Sequence, residues 1–392
     1  MMSKKSRIVY SKKQNKNKIS RETLYFTGVS DRMLFGIVSI LTIFGVLMIA
    51  SAGVVYADVR FDDPYFFFKR QVIGVVLGFV LLIVLSRVDY HIFRRWSLMI
   101  YVIALILLVL VLVPGIGITS YGASRWLNLG PIPSFQPAEM MKLALILYVS
   151  AWCSGKGPKI IANFHTGLLP FLSIIGIPCL LVFLQPNVGT MSILVFISLA
   201  IFYLAGATTK HIFGIFGMGA VGLLGLIIAA PYRMARFMSF INPEADPQGS
   251  GYQIQQALIA IGSGGIFGVG LGHSKQKGLY LPEPVGDSIF AIIGEELGLI
   301  GVVAVLILFF LLAWRGMRIS SAAPDLYGKL VAGGITVWIT GQAIINVAAI
   351  TSLMPLTGIP MPFISYGGTS IIFSLAAVGI LLNISKQAKE NK

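Results

Sequence analysis

Cysteine, histidine and acidic residues are all scarce in this 392-residue chain. Two cysteines, Cys153 and Cys179, cannot build a disulfide framework or a metal site, and both read as small buried residues. Of four histidines only His273 falls in the long loop 231–287, and a lone His there reads as a surface residue rather than a ligand. Charged residues make up 11% of the chain against 56% hydrophobic ones, with a mean hydropathy of +0.85, which excludes a soluble domain of this length. Acids number 15 against 30 Lys and Arg, but no folded basic module accompanies the excess, so no nucleic-acid partner is expected. No cleavable leader is expected either, since the first apolar run follows some thirty polar residues and is long enough to remain as a span.

Long apolar runs are what the chain has instead. Crossing a hydrocarbon core of about 30 Å takes roughly 20 helical residues, and ten runs answer to that, at 33–52, 72–85, 98–113, 140–153, 167–184, 188–205, 212–230, 288–313, 330–350 and 368–384. The expected fold is an all-α polytopic integral membrane protein of ten transmembrane helices. Its one membrane domain, 33–385, lies between a disordered basic tail, 1–32, and a short basic tail, 386–392. Basic residues near short loops stay in the cytoplasm. They fill the first 32 residues and every second loop after them: Arg87, Arg94 and Arg95; Lys156 and Lys159; Lys210; Arg315, Arg318 and Lys329; Lys386, Lys389 and Lys392. Both termini are therefore expected inside. The net charge of +15 reads as topology and attraction to anionic membrane lipids, worth about 1 kcal/mol per basic residue near the surface.

Two loops on the opposite face are too long to be simple connections. The larger, 231–287, between the seventh and eighth spans, is expected to be functional or partly folded back. It sets Arg233, Arg236, Lys275 and Lys277 against Glu244, Asp246, Glu283 and Asp287, a balance suited to an anionic group handled beside a general base. Its apolar stretches 257–261 and 265–271 read as re-entrant or interfacial helices. The glycines between Gly262 and Gly272 lack the Gly-Lys-Ser/Thr ending of a nucleotide loop, so close packing or backbone contact with a lipid diphosphate accounts for them better. The other loop, 114–137, leads into Glu139 and Lys142, which stand at i and i+3 and can pair on one helix face. Tyr65 to Phe68, followed by Lys69 and Arg70, reads as an interfacial anchor. Carboxylates in a membrane domain are costly unless used, and the stretch LYLPEPVGDSIFAIIGEELG at 279–298 gathers Glu283, Asp287, Glu295 and Glu296 around a helix start.

A set of motifs runs through the chain in order: Gly122-Ala123-Ser124-Arg125-Trp126; Gln136-Pro137-Ala138-Glu139 with Lys142; Gln185-Pro186-Asn187-Val188-Gly189-Thr190; Asn242-Pro243 with Asp246-Pro247; Gly251-Tyr252-Gln253; Ala260 to Gly265; Leu281-Pro282-Glu283; Gly294-Glu295-Glu296-Leu297-Gly298; and Pro362 to Gly368. With this topology the chain resembles the SEDS family (shape, elongation, division and sporulation proteins), and most its cell-division branch, FtsW, from Asp31 to Ile384. The resemblance implies a peptidoglycan glycosyltransferase that polymerises lipid II at the outer face of the bacterial cytoplasmic membrane, in the setting of the division septum. It implies a class B penicillin-binding protein, a transpeptidase, as partner, together with other membrane proteins of division. The family's essential acid matches Asp287, its cavity pair matches Glu139 and Lys142, and Lys142 becomes the natural partner of Asp287. Asn187 stands where the family usually has Asp, and Val285-Gly286 and Ser288 replace its usual neighbours of the essential acid.

Residue types carry the same chemistry. Forming a glycosidic bond from a lipid-diphosphate sugar needs a base for the acceptor hydroxyl and cations for the leaving diphosphate. Asp287 is the expected base, with Glu283 the second choice. Arg125, Lys142, Arg233, Lys275 and Lys277 are the candidates for the diphosphate, with a divalent cation, Mg or Mn, as an expected helper. Glu295 and Glu296 sit roughly 12 Å deeper on a regular helix and point away from Asp287, so they are read as structural, paired with other spans. Two other functions would suit ten spans: a lipid II transporter, which would carry midplane charges and internal repeats, and a non-catalytic division scaffold, in which Asp287 would be replaceable.

Overall fold

The computed structural model describes residues 30–120, 123–129, 132–228, 231–242 and 249–388. The basic tail up to residue 29, Gly122, Pro243, Glu244, Asp246, Pro247, Lys389 and Lys392 lie outside them. Fourteen α-helices follow one another: α1 Arg32–Ala52, α2 Val54–Phe61, α3 Phe66–Leu85, α4 His91–Leu112, α5 Pro137–Ser154, α6 Pro158–Ile161, α7 Leu169–Leu184, α8 Val188–Leu204, α9 Thr209–Ile228, α10 Pro231–Ile241, α11 Ser250–Ser263, α12 Ile289–Ala322, α13 Leu326–Ile350 and α14 Gly368–Gln387. A π-helical turn, Phe164–Leu168, leads into α7. Each of the ten expected runs falls on a helix. Among the described residues seven helices are long and apolar enough to cross a membrane, namely α1, α3, α4, α7 with its leading turn, α12, α13 and α14; α8 is apolar but shorter.

Caps place the ends of these helices. Asp31 accepts from the Leu34 N–H at the start of α1, Asn187 from Thr190 at the start of α8, and Asp325 from Gly328 at the start of α13. Asn187 thus caps α8 through a neutral oxygen, a task that needs no charge. Pro137 opens α5, and Glu139 lies in its first turn, where the helix dipole favours an acid.

The loop 114–137, too long for a simple connection, has structure of its own. It folds into a three-stranded antiparallel sheet, β1 Gly117–Ser120, β2 Ala123–Leu129 and β3 Ile132–Phe135, in the order β1-β2-β3. Its far end is sewn to α14 by the Gln136 N–H, which donates to the Thr369 hydroxyl at 3.2 Å.

Helix α13 occupies the middle of the bundle, packing on α5, α8 and α12, while α14 packs along α3 and α12 also meets α1 and α11. Of the most apolar stretch of α13, 72% is buried, against 22% for α3 and for α12, so polar side chains on α13 can meet one another away from lipid. Gln342 and Asn346 on α13 are both buried.

The longest helix, α12, is broken at Gly298, whose φ of 64° and ψ of −162° are outside helical geometry. The break frees backbone groups that a membrane cannot solvate, and the glycine-rich loop before α12 satisfies them. Val269 and Gly270 donate to the Glu295 and Glu296 carbonyls at 3.0 Å each, while Leu299 and Ile300 donate to Gly265 and Ile266 at 2.9 and 3.2 Å. A Cβ on Gly268 would stand 2.1 Å from the Glu296 carbonyl oxygen, so only glycine allows this approach. The expected re-entrant helix at 257–261 lies inside α11, whereas 265–271 is a run of turns that packs on α12, because its positive-φ glycines Gly265, Gly268 and Gly270 do not continue a helix.

Candidate active site

Asp287 sits in the turn before α12 rather than in its first helical residue, half-buried, and Ser288 occupies the N-cap position without a side-chain capping bond. Gln253 of α11 reaches both: its Nε2 donates to the Ser288 hydroxyl at 3.0 Å and lies 3.4 Å from Asp287 Oδ1. From α13, Asn346 Nδ2 donates to the Asp287 and Ile359 carbonyls, each at 2.8 Å. Gly358, at φ +66°, brings its backbone beside the carboxylate, so that a Cβ there would stand 4.0 Å from Asp287 Oδ2.

Glu283 shares this turn. Its carbonyl accepts from Gly286 at 3.0 Å and from Ser288 at 3.4 Å, and its carboxylate folds over Gly286. Two residues before the acid, the Val285 carbonyl accepts from the Tyr366 N–H at 2.8 Å. Burial pushes the Tyr366 phenol above its ordinary value, with the Arg70 guanidinium pulling the other way. Arg70 itself lies over the Phe66 ring at 4.2 Å, so the belt of rings at the start of α3 reaches the edge of the Asp287 turn.

The pair at the head of α5 forms as its spacing predicts. Lys142 Nζ is 2.8 Å from Glu139 Oε1, and both side chains are almost fully buried. Lys142 also donates to Gln342 Oε1 at 2.9 Å and lies 4.9 Å from the centre of the Trp338 ring. The bonds of Lys142 run to Glu139 and Gln342, and α13 links this pair to the acid: Gln342 and Asn346 are one turn apart and grip the adjacent carbonyls of Pro360 and Ile359.

The other cations are placed very differently. The Arg125 guanidinium, on β2, donates to the carbonyls of Gln185 and Pro186. Lys277 is held between Glu296 at 2.9 Å and the Ser51 hydroxyl at 3.2 Å. Lys275 is exposed, while its backbone N–H donates to Glu295 at 2.8 Å. Arg233 lies on α10. Glu296 therefore pairs with α1 and the loop, and Glu295 accepts from Ser274, Lys275 and Gln276, as structural anchors would.

Sequence reasoning passed over Gln253, Trp338, Gln342 and Asn346. Gln253 lies in a motif that was noticed but given no role. The three residues of α13 are polar or amphipathic positions at i, i+4 and i+8 in an apolar helix, and that spacing was the signal available.

A many-helix membrane protein whose buried acid–amine pair and half-exposed acid converge on one end of the bundle defines a polytopic membrane enzyme. The chain belongs to the FtsW/RodA/SpoVE family of cell cycle proteins, whose model matches residues 31–390. It is 45% identical over 359 residues to stage V sporulation protein E of Bacillus subtilis, covering 92% of this chain and 98% of that one. It is 44% identical over 362 residues to a probable peptidoglycan glycosyltransferase FtsW of Trichlorobacter lovleyi, covering 92% and 94%. Among solved structures, a chain described under "Structural coordination of polymerization and crosslinking by a peptidoglycan synthase complex" matches with a TM-score of 0.77 at 27% identity, covering 92% and 99%. The rod shape determining protein RodA of Thermus thermophilus matches with a TM-score of 0.67 at 26% identity, covering 92% and 98%.

Proposed function

We propose that this membrane enzyme is a peptidoglycan glycosyltransferase that polymerises lipid II at the outer face of the cytoplasmic membrane, with ten spans, both termini inside and the loop 231–287 outside. The observation that carries the reading is Asp287 in a turn gripped from α11 and α13, in a chain that aligns almost end to end with relatives named for this activity. Asp287 takes the proton of the acceptor hydroxyl as the glycosidic bond forms, and undecaprenyl diphosphate leaves from the donor sugar. Glu283 stands beside it as the alternative acid.

Cations oppose the charge that develops on the leaving group. Lys275 is the exposed candidate in the loop and Arg233 the candidate on α10. Lys142, already compensated by Glu139, contributes field more than free charge. Among the described residues no three His, Cys, Asp or Glu side chains form a metal cage, so a divalent cation would need diphosphate oxygens among its ligands.

The partner supported by the likeness to a synthase-complex chain is a class B penicillin-binding protein that crosslinks the strands. A septal setting, with other division proteins nearby, fits the FtsW relatives, and the sporulation relative widens the choice. Polymerisation of purified lipid II by the purified protein, with and without such a transpeptidase and Mg or Mn, tests the reading. Glycan strands from wild type and none from Asp287→Ala or Asp287→Asn are expected. Equal polymer from both variants would move the base to Glu283, and none under any condition would favour a transporter or a scaffold.

A further inference from the structure

The amide face of α13 has no role in the chemistry so far. Asn346 Nδ2 donates to two carbonyls, those of Asp287 and Ile359, at 2.8 Å each. Carbonyls only accept, so the orientation of this carboxamide is fixed and its oxygen must be the other end. That oxygen, Oδ1, is buried and has no hydrogen-bond partner. Leaving a buried acceptor unmade is unfavourable. Rotating the amide to satisfy it would set Oδ1 against two carbonyl oxygens, so the double grip is kept at the expense of that bond.

One turn earlier, Gln342 is oriented by the same logic. Its Oε1 accepts from Lys142 Nζ and Trp338 Nε1, both at 2.9 Å, and its Nε2 donates to the Pro360 carbonyl at 2.8 Å. The two amides hold consecutive residues of one loop segment; the Gln342 oxygen also holds Lys142, and the Asn346 nitrogen also holds the backbone of Asp287. Both are at most 1% exposed. The start of α12 lacks a side-chain cap, so its register against α13 depends on contacts of this kind.

We propose that Asn346 is a positioning residue for Asp287: by tying the Asp287 and Ile359 carbonyls together it fixes the acid in register with the Lys142–Gln342 contact on the same face of α13. The inference rests on the glycosyltransferase reading. It predicts a turnover effect without a substrate-affinity effect, because Asn346 touches the backbone of the base rather than a surface that lipid II covers.

The test uses the full chain with its transpeptidase partner and purified lipid II, comparing wild type with Asn346→Asp, which keeps the shape but replaces the donor by an acceptor, and Asn346→Leu, which keeps the approximate volume but has no donor. Rates are normalised to the folded fraction measured by thermal unfolding in detergent. A displacement of the base by about 1 Å is worth on the order of 100-fold in rate, so kcat per folded molecule is expected to fall by roughly that factor in both variants while KM for lipid II stays within about twofold. Wild-type kcat per folded molecule in both variants, with only the melting temperature lowered, would make Asn346 merely structural and overturn the inference. A raised KM at unchanged kcat would make it a substrate contact and overturn it equally. Absence of polymer from wild type would sink the glycosyltransferase reading, and this one with it.

Discussion

The two ends of the helix bundle are built to different standards. At the end that carries the basic loops, Tyr90 donates its N–H to Asn383 at 3.0 Å and its hydroxyl to Asp325 at 2.9 Å, and His91 lies between Asp89 and Asp325 at 2.7 and 2.6 Å. Asn383 and Lys386 both donate to the Ser86 carbonyl, and Arg315 meets Asp31 at 2.6 Å. These bonds join α1, α4, α12, α13 and α14. Buried atoms without a hydrogen-bond partner stand at both ends, Tyr327 Oη and His211 Nδ1 at this one and Glu139 Oε2, Gln185 Oε1, Gln276 Oε1, Asn346 Oδ1 and Thr357 Oγ1 at the end that carries Asp287. All six described non-glycine residues with positive φ also lie in its loops: Asp62, Pro186, Leu279, Glu283, Ser352 and Phe363. One end is assembled for hold. The other keeps a strained backbone as well, the mark of a site over-determined by its surroundings.

The largest break in that contrast is expected at the acid. General base catalysis is worth about 10²–10⁴ in rate, so Asp287→Asn should lower lipid II polymerisation by at least roughly 100-fold without lowering the melting temperature. A variant that polymerises normally would leave the strained end without a reacting group. Next comes the buried pair. Lys142→Met strands the Glu139 carboxylate among apolar helices, and breaking a buried pair costs about 3–5 kcal/mol. Unfolding in detergent should show that loss, and Glu139→Gln combined with Lys142→Met should recover much of it. Equal stability of the single and double variants would mean that water reaches the pair.

How much of this was legible beforehand follows from which signals survive in a greasy chain. The ten apolar runs and the i, i+3 pair at Glu139 and Lys142 were readable because length and spacing carry them. Helix ends were not: α4 starts at His91, seven residues before its apolar run, because Arg94, Arg95 and Trp96 extend a helix without adding hydropathy. For the same reason α12 runs on to Ala322 past Arg315 and Arg318. The small sheet from Gly117 to Phe135 escaped because two of its three strands have only four residues, too short an alternation to register among glycines and prolines. At the site, Asp287 was found by type and place. The hold of Asn346 on it, across 59 residues, depends on tertiary packing that no local pattern records. Lys277 stood among the diphosphate candidates by type, whereas its engagement by Glu296 is a fact of folding.

That engagement gives the third break. Lys277→Met would leave Glu296, fully buried, with only the Ser51 hydroxyl. A loss of about 3 kcal/mol is expected, read as a lower melting temperature and as faster hydrogen exchange between residues 265 and 278, where the loop is pinned to the broken helix. Exchange unchanged in that segment would show that the glycine backbone contacts with α12 hold the loop alone.

The smallest effect belongs to the end with the basic loops and is the sharpest check on the contrast. Burial opposes ionisation of Asp325, but the hydrogen bonds from the Gly328 N–H, His91 and Tyr90 outweigh it and hold the carboxyl below its ordinary value of 3.8. A group held down in the folded state contributes stability that is complete above its unfolded value and is lost as pH falls through the lower folded one. Asp325→Ala removes the α13 cap and should cost about 1 kcal/mol near neutral pH, with lipid II polymerisation unchanged. Against burial, the bonds to Asp89 and Asp325 hold the His91 imidazole above its ordinary value, so melting the two proteins across a pH series should give a gap that widens as His91 protonates and closes below about pH 4. A fall in polymerisation with the variant would show that the two ends are coupled and that the fastening of α13 at the end with the basic loops is felt at Asp287.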